Sequence, residues 1–90
     1  MEYKEYFVLL QLTFCQDEAD WVNVILVTTD ELKARCELLS HAQHYAEQES
    51  CKLDLCRMPY EAIVKNDDGC IQSRFELHYY SQEYQLIMDK

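Results

Sequence analysis

A chain of 90 residues has room for one domain, expected here to span 1–90 as a single compact unit, and none for a second core. Its 49% apolar share is enough for a packed interior, while a lone Gly (Gly69) and a lone Pro (Pro59) exclude glycine-rich phosphate loops, proline-rich ligand segments and flexible linkers. Seventeen acids against eight bases leave a formal net charge of −9, which repels phosphate backbones and anionic membranes, so the partner to expect is a basic protein surface, with no direct nucleic acid and no membrane.

The opening Met1-Glu2-Tyr3-Lys4-Glu5 is acidic and aromatic, unlike the basic start of a secretory signal. The longest apolar runs, 7–10 and 24–27, are too short to cross a bilayer, so a cytoplasmic protein is expected. Residues 5–15 alternate as a strand does, with Tyr6, Val8, Leu10, Leu12 and Phe14 making one wholly apolar face. A polar turn over 16–20 follows, and then the β-branched run 21–27 reads as a central strand buried on both faces, closing a hairpin.

Thr28-Thr29-Asp30-Glu31 fits a capping box with Thr28 as N-cap and Glu31 three residues on. Behind it Leu32, Cys36, Leu39, Ala42 and Ala46 recur every three or four residues, which predicts a helix from about Asp30 to Gln48 with that stripe buried. Period two returns over 51–56, breaks at Met58-Pro59, and resumes over 60–65. Asn66-Asp67-Asp68-Gly69 supplies a hairpin turn before 71–79, whose apolar side is Ile71, Ser73, Phe75, Leu77 and Tyr79. The tail 81–90 fits a last edge strand or a short helix. The expected fold class is α+β: an antiparallel sheet of about five strands with one helix packed on one face, in the order β-β-α-β-β-β.

Short connections make successive elements reverse direction, and this locates the acids. Asp17, Glu18 and Asp20 in the first turn, Glu47 and Glu49 at the helix end, and Asp67 and Asp68 in the last turn should all reach one end of the domain. Tyr80 and Tyr84 add aromatic anchors of the kind interfaces use, and these nine residues are the expected partner-binding set.

Metal and catalytic chemistry have weaker signals. His41 and His44 share a helix face, and Cys51 and Cys56 follow, but five positions along a strand put the two thiols on opposite faces. Asp17, Asp20, Asp67 and Asp68 offer hard oxygen ligands without the twelve-residue calcium loop, so no metal or cofactor is expected. Cys36 near His41 and His44 is the closest approach to a thiol–imidazole pair and belongs to no catalytic signature, so the chain is not expected to be an enzyme. Five cysteines, an odd number in a reducing compartment, are read as small core residues: Cys15, Cys36, Cys51, Cys56 and Cys70.

In size, charge and clusters such as Asp17-Glu18-Ala19-Asp20, Glu47-Gln48-Glu49 and Asp67-Asp68, the chain resembles the small acidic inhibitors of phages and mobile elements, among them anti-CRISPR and other DNA-mimicking proteins. The resemblance implies an anti-defence inhibitor that docks on a basic nucleic-acid-binding surface of a target protein. The alternative is a non-catalytic interaction or accessory module that self-associates as a homodimer, through its last strand, with acidity serving solubility. A metal-binding or thiol enzyme is the third class.

Overall fold

The structure, a computed structural model, describes residues 2–15 and 18–84 and is built around two long central strands. The elements are β1 (Glu2–Cys15), β2 (Glu18–Thr28), α1 (Glu31–Gln48), β3 (Lys52–Asp54), β4 (Glu61–Lys65) and β5 (Ile71–Tyr84). They form one antiparallel sheet in the order β2-β1-β5-β4-β3, with α1 packed across one face and touching all five strands. This is the expected α+β fold in the expected chain order. β1 and β5 pair over twelve positions, from Glu2↔Tyr84 to Thr13↔Ser73, and their length stretches the molecule to 52 Å along one axis.

α1 forms between two well-made ends. Asp30 is the N-cap, its Oδ1 accepting the Lys33 N–H at 3.1 Å, while the Thr28 hydroxyl accepts the Asp30 N–H at 3.0 Å. Thr28 therefore braces the cap from two residues upstream and is not the N-cap, because the first residue with its carbonyl inside the helix is Asp30. At the other end the Cys51 N–H reaches the Ala46 carbonyl at 2.9 Å and the Ser50 N–H reaches Glu47 at 3.4 Å, with Ser50 in the left-handed region at φ 55°. That is a Schellman closure, which turns the chain back toward the sheet.

The buried stripe of α1 is Ala34, Leu38, Ala42 and Ala46, at four-residue steps. Leu32 is 71% exposed, Cys36 is exposed and Leu39 is half-buried, which corrects the expected stripe at its N-terminal half. Two apolar rows overlap on this helix, and the sheet receives the one rich in alanine, which permits close approach. Beneath it lie Leu9, Ala62, Val64, Phe75 and Leu77, with the Tyr45 and Phe75 rings meeting edge-on at 6.0 Å.

Four further expectations are corrected. β2 is an edge strand, not a central one: β5 takes the other side of β1, so Trp21, Val22, Val24 and Val27 stand 56–66% exposed. It also begins at Glu18, so the expected turn 16–20 gives up three residues to the strand. The cysteines are not core residues: Cys36, Cys56 and Cys70 are exposed and Cys51 is half-buried, while the side chain of Cys15 lies outside the described set. The first part of the expected tail strand, 81–84, is the end of β5, and 85–90 lie outside the described residues.

Candidate functional site

The strand register places the acidic segments. β1 ends and β2 begins at the Cys15↔Glu18 pair; Thr13 pairs Ser73, so Cys15 stands level with Ile71, the start of β5, whose partner Lys65 ends β4. β3 starts beside Lys65, and α1 ends just before it. The 15–18 connection, the 65–71 turn and the helix C-terminus therefore sit at one end of the sheet, the first two about 10 Å apart across two strand spacings. Asp17 lies outside the described residues, and Glu18 and Asp20 are placed by backbone alone.

Glu47, Glu49, Asp67 and Asp68 are exposed, and none forms an ion pair with a described residue. The turn is organised by Asn66, whose Oδ1 accepts the N–H groups of Asp68 and Cys70 at 2.9 and 3.0 Å, with Gly69 at φ 84° closing it. Asp67 and Asp68 are thereby left facing outward without a local hydrogen-bonding duty.

Two cations stand just below this end. Lys52 and Lys65 are directly paired across β3 and β4; Lys65 bridges Asp54 at 3.2 Å, whereas Lys52 is exposed. The Cys56 N–H first, and then the Cys56 and Lys65 side chains, hold the Asp54 carboxyl down at about 2. The tyrosines lie elsewhere. Tyr80 is nine residues along β5 from Ile71, roughly 30 Å away, and Tyr84 is further still, so the strand does not bring them to the acidic end.

That opposite end carries a feature that sequence reasoning missed. Glu5, Phe7, Glu31, Tyr60 and Tyr79 line an open cleft of about 360 Å³ between β1, β5, the start of α1 and the chain before β4. Phe7 and Tyr79 rings lie 5.3 Å apart, and the Tyr79 hydroxyl donates to Glu5 at 2.8 Å, which raises the phenol above its ordinary range. Aromatic faces beside two carboxylates suit a cationic side chain. Its residues come from four distant segments, so only the fold assembles it. The signal within reach was Tyr79, which alternation placed beside the core yet at the end of a strand.

The sheet face away from α1 is the second such feature. Pairing puts Val22, Val24 and Val27 of β2 beside Leu12, Leu10 and Val8 of β1, and these beside Arg74, Glu76 and His78 of β5. Phe14 belongs to the same face, its ring lying 5.2 Å from the Arg74 guanidinium carbon. The side of β1 that is apolar from Tyr6 to Phe14 is thus the one no described residue covers, while Phe7, Leu9, Gln11 and Thr13 face the helix. Gln11 is accommodated there by Ser73, whose hydroxyl receives a hydrogen bond from it at 3.3 Å and donates to the Leu12 carbonyl at 2.9 Å.

On β5 and β4 the face is ionic and internally matched. Arg74 bridges Glu61 and Glu76 at 3.4 and 3.1 Å, and His78 lies 2.8 Å from Glu76. Burial pushes the Glu76 carboxyl up, but the hydrogen bonds from His78 and Arg74 outweigh it and hold it below the usual carboxylate range. His78 and Glu76 also line a shallow depression of about 420 Å³ with Arg57, Tyr60 and Glu61.

The remaining candidate groups are scattered. His41 pairs with Glu37 at 3.3 Å, and His44 is exposed. Among the described residues no three His, Cys, Asp or Glu side chains gather closely enough to hold a metal ion, and no helix is long and apolar enough to cross a membrane. A hydrogen bond to Asp54 first, and then the negative charge of that carboxylate, raise the Cys56 thiol, which lowers its thiolate fraction.

Comparison with known protein families, with curated proteins and with solved structures found no match. The class is therefore defined by geometry: a one-helix, five-stranded antiparallel α+β domain with an acidic end, a cleft lined by aromatic rings and carboxylates at the other end and one sheet face that no described residue covers.

Proposed function

We propose that this chain is a non-catalytic binding protein whose acidic end docks on the basic, nucleic-acid-binding surface of a partner protein and blocks it by occupation. The observation that carries the reading is the gathering of the three acid-bearing segments at one end of the sheet, with Glu47, Glu49, Asp67 and Asp68 exposed and free of ion pairs among the described residues. The strand ends that lead into the acid-bearing segments lie two strand spacings, about 10 Å, apart, a span that a basic groove built for phosphates accepts. The nearby Lys65 is neutralised by Asp54 and offsets little of it. The cleft of Glu5, Tyr60 and Tyr79 offers a second seat for a lysine or arginine side chain of a large partner.

The test is capture of proteins from nuclease-treated extract of the source cell on the immobilised chain. A basic protein should be retained at about 0.05 M salt, released by about 0.5 M salt, and displaced by duplex DNA. The variant Glu47→Gln/Glu49→Gln/Asp67→Asn/Asp68→Asn should lose that retention. Retention that survives all four substitutions, or that DNA does not compete with, sinks the reading.

A further inference from the structure

We propose that two copies of this chain pair through the uncovered sheet face, stacking the β1–β2 band of one copy on that of the other about a two-fold axis. The proposal is independent of the acidic end, which lies on connections at the edge of this face.

The first argument is the composition of the face. Val8, Leu10, Leu12 and Phe14 of β1 adjoin Val22, Val24 and Val27 of β2, and the three valines are 59%, 56% and 59% exposed. Single exposed apolar residues need no explanation, but a row of exposed valines beside the half-buried Val8, Leu10, Leu12 and Phe14 makes a continuous apolar band, which marks a contact surface.

The second argument is area. Nine residues of β1, β2 and β5 with the shorter β4 and β3 give a whole face of roughly 550 Å², about half of it the β1–β2 band, from about 3.3 Å per residue and 4.8 Å per strand. The whole face comes close to the lower bound of a stable interface, about 600 Å² per partner, so the stacked contact extends from the band over β5, β4 and β3. Sheets stack face to face at about 10 Å, which is the packing an open antiparallel face permits. Pairing β2 edges side by side would leave the valines in water, so stacking is the geometry that removes them.

The third argument is charge. The whole chain carries −9, yet on this face Asp54, Glu61 and Glu76 are matched by Lys52, Lys65 and Arg74, and five of the six are in ion pairs. The face is locally neutral, so a second copy meets no repulsion across it. A strongly basic partner gains nothing from it. The net charge acts only at long range, between acids on the connections and helix, and added salt screens that repulsion. Dimerisation therefore strengthens with salt, opposite in sign to docking of the acidic end on a basic partner.

Sedimentation of the purified chain across concentration, at about 0.05 M and about 0.5 M salt, tests this directly. The wild type is expected to be dimeric at micromolar concentration and more so at high salt. The variant Val22→Thr/Val24→Thr/Val27→Thr keeps β-branching at exposed positions and should weaken the dimer at least roughly tenfold, with its circular dichroism and monomer unfolding unchanged. Leu32→Ser, an exposed leucine on α1, is the control and should leave the dimer intact. A wild type that stays monomeric at about 100 μM and high salt overturns the proposal, as does a dimer that the valine substitutions leave unaltered. Either result is compatible with acidic-end docking, so the two readings fail separately.

Discussion

The two faces of the sheet differ in a way that hydrophobicity alone inverts. On the side covered by α1, β1 presents Phe7, Leu9, Gln11 and Thr13, of which two are polar, yet Leu9 is fully buried there with Phe75 and Val64. On the open side β1 is apolar from Tyr6 to Phe14, and its neighbours on β2 are exposed valines. The lesson is that a strand's more apolar face need not be the core face of the isolated chain. A helix covers whichever face its own connections let it reach, and the face left over keeps its apolar band.

Truncating Phe75 to Ala removes the largest fully buried side chain and the ring that meets Tyr45, and should cost about 3–5 kcal/mol in urea unfolding. A loss below about 1 kcal/mol would mean that the helix side is not the principal core. Acid titration sharpens the open side. Asp54 falls from its ordinary 3.8 to about 2 on folding, so its contribution is present above about pH 4 and is lost as pH drops toward 2. Asp54→Asn should flatten that segment of the stability curve, and an unchanged acid limb would show that the Cys56 and Lys65 contacts do not persist in solution.

Ser50→Gly addresses the junction that seats the helix on its face. A non-glycine residue at φ 55° is strained, so the glycine variant should gain about 0.5–1 kcal/mol, read as a rise in melting temperature. The smallest effect is expected on the open face. Val24→Thr should alter the unfolding free energy of the monomer by no more than about 0.5 kcal/mol, in contrast to Phe75→Ala.

Element type was legible because each signal is local. The period-two runs of β1, β4 and β5, the turn at 66–69 and the helix to Gln48 depend on neighbouring residues, and each is present, with β1 and β5 longer than their runs and the helix capped by Asp30 rather than Thr28. Direction reversal also carried over, since every connection between successive elements is short, and that places the ends of Cys15, Lys65 and Gln48 together. Order within the sheet was not legible. The pairing of β1 with β5 joins residues up to eighty-two positions apart, from Glu2 to Tyr84, and no local signal distinguishes it from β2 filling the centre. For the same reason the cleft of Glu5, Glu31, Tyr60 and Tyr79 could not be read from spacing.

By itself, then, the amino-acid sequence determined an acidic chain, its strands and helix, and the end at which its acidic connections gather, because charge, periodicity and chain reversal act over a few residues. Tertiary structure alone decided which face of β1 is covered, which strand is left at the edge and which distant side chains meet. Those follow from long-range pairing and from where a single helix can lie, and one helix cannot cover both faces of a five-stranded sheet.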